Sequence, residues 1–244
     1  MLRNDDIYEY ISTPYDLLVS KEDYEGNIPA ALFQIADFKQ KDVADLGAGT
    51  GRLTQMVAAE ARSIVAVDFA ADMLKVAANK LTETGLKNWK TCVSDLRHIP
   101  SLEDESVDIV LAGWSVCYLS SSDHQEWELH LEQVITEMGR ILRPQGTIII
   151  LETLGTGNTE PVPPGFLRKY FEALEQKYGF NAKVIRTDYA FDSVEQAEQL
   201  CRDFFGDELG DVIREEKTNI VPECTGIWWR TGLKADAGNG SEET

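Results

Sequence analysis

Basic residues are scarce in this chain: 23 Lys and Arg stand against 42 Asp and Glu, a formal net charge of −19 over 244 residues. A surface that tracks phosphates needs clustered cations, so this balance argues against DNA or RNA as a partner. A cationic or neutral small molecule suits the field better. Long apolar runs are missing too. Nothing approaches the roughly 20 residues of a membrane span, and Met1-Leu2-Arg3-Asn4-Asp5-Asp6 lacks the apolar stretch of a signal peptide. No membrane partner and a cytoplasmic location are therefore expected. The four cysteines, Cys92, Cys117, Cys201 and Cys224, form no C-x-x-C pair and read as reduced, mostly buried thiols. The three histidines, His98, His124 and His130, make no metal-ligand cluster, so no metal is expected.

What is present suffices for one large α/β domain, and the hydrophobic content of 43% is ordinary for a globular protein. The most informative stretch is Val-Ala-Asp-Leu-Gly-Ala-Gly-Thr-Gly at 43–51. Val43 to Leu46 reads as a buried strand and Arg52 to Glu60 as a helix. Between them Gly47, Gly49 and Gly51 allow bare backbone to approach a ligand. A strand, a glycine turn and a helix form a nucleotide-binding corner at the carboxyl edge of a parallel sheet. The dinucleotide pattern G-x-G-x-x-G/A fails here, because its third place falls on Arg52, which does not suit close helix–strand packing. The phosphate-loop pattern fails as well, because no Lys-Ser/Thr follows the glycines.

Three further strand ends supply ligand chemistry. Ser63 to Val67 runs into Asp68, whose carboxylate can accept both hydroxyls of an adenosine ribose or can cap the following helix. Trp89 to Val93 runs into Ser94-Asp95-Leu96. Asp95 would accept a bond from the adenine amino group, and the Leu96 amide would donate to a ring nitrogen. Val107 to Ala112 runs into Gly113-Trp114. Strands and helices alternate over 42–47, 51–60, 63–68, 70–84, 89–93, 107–113, 123–142 and 146–153, which means a parallel sheet with crossover helices. Pro144-Gln145-Gly146 reads as a turn before the fifth strand. Upstream, Tyr8, Tyr10, Tyr15 and Tyr24 precede a helix over 28–37. Downstream come a Gly/Thr/Pro loop (155–165), a helix (166–178), a strand (182–189), a helical stretch (193–217) interrupted at Gly206 and Gly210, and a last strand (220–231) with Pro222 near its start.

The stretches 43–54, 65–74, 93–96, 107–114 and 141–150 together resemble the class I, seven-stranded, S-adenosylmethionine-dependent methyltransferases, in family order and spacing over about residues 40–155. The resemblance implies a doubly wound α/β fold: a mostly parallel seven-stranded sheet whose last strand is antiparallel, plus an N-terminal helical lid. One domain would cover 1–233: residues 1–39 as lid, 40–155 as cofactor-binding core and 156–233 as substrate-side half. Residues 234–244 read as a disordered tail. The last two strands would form the antiparallel end of the sheet. The cofactor would be S-adenosyl-L-methionine, met by Tyr15, Asp45, Gly47, Ala48, Gly49, Asp68, Phe69, Met73, Asp95, Leu96, Gly113 and Trp114. One departure is Ala70, where the family often carries a helix-capping serine.

Transfer is an in-line displacement, so much of the catalytic work is positioning, and a base is needed only if the acceptor must lose a proton. The Asn/Asp-Pro-Pro-Tyr/Phe motif of base and amide N-methyltransferases is absent after the fourth strand, which reads Ala112-Gly113-Trp114-Ser115. Trp114, Tyr118 and Glu152 would shape an acceptor pocket, with the Trp114 face available to a cation. His124, at the start of a helix, is a candidate base or a solvated residue; no catalytic residue is assigned. Trp228 and Trp229 would point to opposite faces of a strand, one to the core and one to the pocket. The leading expectation is methyl transfer to a small-molecule acceptor. A non-catalytic sensor or partner subunit that binds the donor or its demethylated product is the alternative. Protein methylation is a lesser one, and an NAD-dependent dehydrogenase is disfavoured by Arg52.

Overall fold

The structure, a computed structural model, describes residues 14–232. Residues 1–13 of the expected lid, with Tyr8 and Tyr10, and the tail expected over 234–244 lie outside the described residues. Seven strands form one sheet: β1 (Asp42–Leu46), β2 (Ser63–Asp68), β3 (Trp89–Val93), β4 (Val107–Gly113), β5 (Leu142–Thr156), β6 (Asn181–Arg186) and β9 (Glu223–Thr231). Their order is β3-β2-β1-β4-β5-β9-β6. β1 to β5 pair in parallel, while β9 runs antiparallel to both β5 and β6. The last strand is thus antiparallel as expected, but it is inserted inside the sheet. β6 therefore runs the same way as β5, and the last two strands, β6 and β9, form the antiparallel end of the sheet as expected.

Side-chain alternation explains why both faces are covered. In β5, Ile148 and Ile150 face one core, and Ile149 and Leu151 face the other. The first core packs α6 (Trp127–Ile141) and α7 (Arg168–Gln176) through Leu131, Val134, Met138, Tyr170 and Leu174. The second packs α2 (Asn27–Ile35) and α3 (Arg52–Ala58), with Leu81 of α4 (Ala71–Glu83). At the amino edge, Arg143 reaches Asp42 and Asp108 at 2.9 Å each. That clamp holds the start of β5 in the sheet, so β5 begins at Leu142 and passes through the expected Pro144-Gln145-Gly146 turn.

Other boundaries move for identifiable reasons. The expected 182–189 strand stops at Arg186, and 220–231 divides at Pro222, which has no N–H to give a ladder. The released pieces, β7 (Tyr189–Ala190) and β8 (Ile220–Val221), make a separate antiparallel pair. The expected 123–142 helix starts only at Trp127, as α6, and is preceded by a turn and a short helix outside the expected span, α5 (Cys117–Ser120). Gly206 ends α8 (Val194–Phe205), but Gly210 lies inside α9 (Asp207–Glu216). A Cβ on Gly210 would sit 2.9 Å from Arg202, which reaches past it to Asp211 at 2.8 Å.

A third, smaller core joins the two ends of the chain. Leu18, from helix α1 (residues 14–20), packs with Tyr189, Phe191, Leu200, Cys201, Ile213 and Val221. Glu22 bridges antiparallel to Tyr189, so this N-terminal segment is pinned to β7. No helix among the described residues is long and apolar enough to cross a membrane. All four cysteines are free; Cys201 and Cys224 are buried, and Cys92 and Cys117 are half-buried.

Candidate active site

The corner after β1 is built around a steric necessity. Gly47 has φ +74°, and a Cβ there would lie 2.1 Å from the Ser115 Cβ. Ser115 cannot retreat easily, since its hydroxyl donates to the Leu46 carbonyl at 2.8 Å. The turn after β4 therefore rests directly on the turn after β1. The Gly47 and Ala48 amides donate to the Val67 carbonyl at 2.7 and 2.9 Å. At the tip, the Gly49 amide donates to Asp68 Oδ2 at 2.8 Å, while Asp68 Oδ1 accepts from the Ala70 amide at 2.8 Å. Asp68 thus ties the glycine turn to the entry of α4. It does part of the work the missing serine would do.

The remaining donor-side residues take distinct places. Asp45 is 1% exposed and accepts from the Thr54 hydroxyl at 2.5 Å; burial pushes its carboxyl up to about 6. It orients α3 from beneath the turn. Phe69 stands 81% exposed at the end of β2, with Val93 exposed on the neighbouring strand. Met73 lies beside Gly49, its terminal carbon 3.8 Å from where a Cβ would be. Leu96 is buried, and both Asp95 carboxylate oxygens accept from Arg97, at 2.9 and 2.6 Å, which holds the Asp95 carboxyl below the usual carboxylate pKa range. A Cβ on Gly113 would meet Leu53 at 2.6 Å, so β4 and α3 approach closely there.

The acceptor side departs from several expectations. Trp114 has φ +48° and donates its amide to the Leu151 carbonyl at 2.7 Å. Arg52 lies 4.7 Å over its ring, so the chain's own cation already covers one face of Trp114. Glu152 does not line an open pocket. It is fully buried and accepts from the Cys117 amide at 3.0 Å and the Tyr170 hydroxyl at 3.2 Å. Its second oxygen has no partner, and burial pushes it up to about 7. Tyr118, on α5, is 74% exposed above it. Burial and then Glu152 push the Cys117 thiol up, which makes a poor nucleophile. His124 stands exposed in the turn between α5 and α6 and does not begin a helix. Trp228 is core, stacked on Phe171 at 4.5 Å, and Trp229 packs on the opposite face level with Ile149, well inside the strand. The expectation that one of them lines the pocket is corrected.

Residues that local pattern does not single out complete the edge. Arg52 donates to Glu22 at 2.6 Å, joining α3 to the segment after α1. Glu223, at the start of β9, accepts from the Thr153 hydroxyl at 2.7 Å. Tyr15 lies within electrostatic reach of Tyr118, Arg52, Glu22 and Asp68; burial and then Tyr118 push its phenol up to about 12. Arg52 is legible in the sequence only as a misfit to the dinucleotide pattern, and no periodicity links Glu22 to Glu223. Among the described residues no group of acids, histidines or cysteines could hold a metal ion.

Comparison with known proteins agrees with this geometry. A family model described as a methyltransferase domain matches residues 44–150. Phosphoethanolamine N-methyltransferase 1 of Triticum aestivum is 32% identical over 127 residues, 51% of this chain and 24% of that protein. Demethylmenaquinone methyltransferase of Bacillus cereus is 28% identical over 171 residues, 68% of this chain and 66% of that one. The chain thus spans about a quarter of the plant relative's length. A SAM-dependent methyltransferase from Aquifex aeolicus superposes with a TM-score of 0.57 at 18% identity, over 95% of this chain and 100% of that one.

Proposed function

We propose that this chain, whose residues 44–150 match a methyltransferase-domain model, transfers a methyl group from S-adenosylmethionine to a small-molecule acceptor. The observation that carries this reading is the Gly47–Asp68 corner. Its backbone is bare where a Cβ would collide with Ser115, and its carboxylate is fixed at the strand end by two backbone amides. Such a cradle fits an adenosyl group. Asp68 would take the ribose hydroxyls, the Gly47–Gly49 backbone would lie against the methionine portion, and Asp95 and Leu96 would meet the adenine. Tyr15 would close the methionine end. Asp45 would set the turn from below.

S-adenosylmethionine, when bound, supplies a methyl group on a positively charged sulfur. The chain's own contribution is to bind, orient and exclude water. Trp114, held by its bond to Leu151 and backed by Arg52, would wall the space beyond the end of β4. Tyr118 would stand at its mouth. Phosphoethanolamine and demethylmenaquinone, the acceptors named for the two relatives, set the scale of candidates to be screened.

Calorimetric titration with S-adenosylmethionine, S-adenosylhomocysteine and NAD tests the reading. Micromolar binding of the first two and none of NAD is expected; NAD binding alone would overturn it. Donor binding without methyl transfer across a broad acceptor panel would instead favour a sensor. Asp68→Ala is expected to weaken donor binding by about 2 kcal/mol, roughly thirtyfold, through lost charge-assisted bonds. Unchanged affinity in a folded variant would remove Asp68 from the site.

A further inference from the structure

Beneath the segment joining α1 to α2 lies a polar cluster that the donor corner does not use. Glu22 enters from that segment, Arg52 from the first turn of α3 and Glu223 from the first residue of β9. Backbone bonds hold the two acids against the short stretch 187–189 that links β6 to β7. Glu22 bridges to Tyr189, and the Thr187 amide donates to the Glu223 carbonyl at 3.0 Å. The Glu22 side chain is 4% exposed and Glu223 2%. Glu22 accepts from Arg52 at 2.6 Å, and Glu223 accepts from the Thr153 hydroxyl at 2.7 Å with the Thr156 side chain also beside its carboxyl. Glu22 Oε1, Glu223 Oε2 and Arg52 Nη2 have no partner, three of the eight such buried atoms among the described residues. Buried polar atoms are as a rule satisfied, so a group of orphans in one place marks where something else binds.

Charge decides what that is. Around the Glu223 carboxyl stand Glu22, Arg52, Tyr189, Cys201 and Cys224, with Asp23 also facing Arg52 and the Arg186–Asp188 ion pair at the Glu223 amide. Arg186 is closed on Asp188, so the one cation left to the cluster is Arg52, and Glu22 already takes its charge. Two glutamates against one arginine leave a single negative charge uncompensated in a dry setting. An anion or a carboxylate would add to that excess. A neutral hydroxyl could accept from Arg52 Nη2, but it would supply one donor for two free acceptors and no positive charge against the uncompensated carboxylate.

We propose that this cluster is an acceptor subsite for a protonated amine, which would donate to the free oxygens of both Glu22 and Glu223. It rests on the methyl-transfer reading and gives that site its substrate class: small molecules carrying an ammonium group, recognised there whichever atom is methylated. With no cation present, burial and then Glu22 push Glu223 up to about 8, so near pH 7 a proton occupies the place of the missing charge. Amine binding displaces that proton.

Saturation-transfer NMR on protein loaded with S-adenosylhomocysteine provides the test. The probes are 2-phenylethylamine, 2-phenylethanol and phenylacetate, with butylamine, butanol and butyrate. The amines are expected to bind at least tenfold tighter than the matched alcohols and acids. Calorimetry in two buffers of different ionisation enthalpy should show proton release near pH 7. Glu223→Gln should remove the preference at least tenfold while S-adenosylhomocysteine affinity stays within twofold. The proton release is read on the unmodified chain, so the test survives a variant that does not fold. Equal binding of amine, alcohol and acid, a preference that persists in Glu223→Gln, or no fragment binding to the loaded protein would overturn the subsite. Failure of the unmodified chain to bind S-adenosylhomocysteine would overturn the methyl-transfer reading instead.

Discussion

Gly47→Ala is expected to destabilise the protein by about 2–5 kcal/mol and to remove measurable donor binding. A left-handed backbone costs a non-glycine residue roughly 1–2 kcal/mol, and forcing an extra carbon into a packed contact costs about 1–3 more. Here the new Cβ would fall 2.1 Å from the Ser115 Cβ, so either the β1 turn or the β4 turn must move. Both turns border the same crevice, and moving either spoils the donor cradle. Thermal unfolding should show a fall of roughly 4–20 °C in Tm, at about 2–4 °C per kcal/mol for a domain of this size. Two comparisons separate the causes. Gly49→Ala, with φ +53° and its nearest neighbour at 3.8 Å, carries only the backbone cost and should lose about 1–2 kcal/mol. Gly47→Ala combined with Ser115→Gly should recover part of the loss. Equal effects of the two single substitutions would mean that the Ser115 contact is not what demands glycine.

Thermal stability should also fall as pH rises from about 5 to 8, and Glu152→Gln should flatten much of that slope. The folded carboxyls of Glu152 and Glu223 are pushed up to about 7 and about 8, from an ordinary value of 4.5. Between the ordinary and the raised values the folded state holds more protons than the unfolded chain, so stability decreases with pH. It is fully present below about pH 4.5 and is lost as pH passes the folded values. Every tenfold weakening of an acid on folding corresponds to about 1.4 kcal/mol, so Glu152 alone accounts for about 3 kcal/mol by pH 8.5. Its amide isostere keeps an acceptor for the Cys117 amide and never has to ionise. Glu152→Gln should therefore exceed the parent in Tm at pH 8.5 and differ little at pH 5. General repulsion from the net charge of −19 acts on both proteins alike, so their difference isolates Glu152. A difference between the two that does not change with pH would show that Glu152 is not buried as the structure has it.

The same contrast separates what local sequence carries from what it cannot. The glycine corner, the acid at the end of β2 and the first four strands are local features. A strand announces itself by neighbouring apolar residues, and a glycine turn by its own φ requirement, so Val43–Gly51 and Ser63–Asp68 can be read without any partner. The limits of β6 and β9 cannot, because they depend on which strand each segment finds. Tyr189 leaves the sheet to pair with Val221, and the Pro222 N-terminal to β9 cannot donate. Gly210 looks like a break in the sequence because glycine weakens an isolated helix, yet α9 keeps it to let Arg202 pass.

The chemistry divides along the same line. Asp68, Gly47 and Asp95 are identifiable because their roles follow from position at a strand end. Glu152 reads as a strand-end residue in the sequence, which suggests an open pocket, whereas β5 runs on to Thr156 and packing under α5 and α7 buries Glu152 completely. Nothing local to Trp114 reveals that Arg52 lies over its ring. Glu22, Arg52 and Glu223 come from three distant parts of the chain, and none has a local pattern that names the other two. The nucleotide-binding corner and the α/β alternation are written in the order of the residues, because both arise from contacts between near neighbours. Which acids are buried, which oxygens lack partners and where charge is left over emerge only from the folded chain, because burial and pairing are properties of residues brought together by the whole fold.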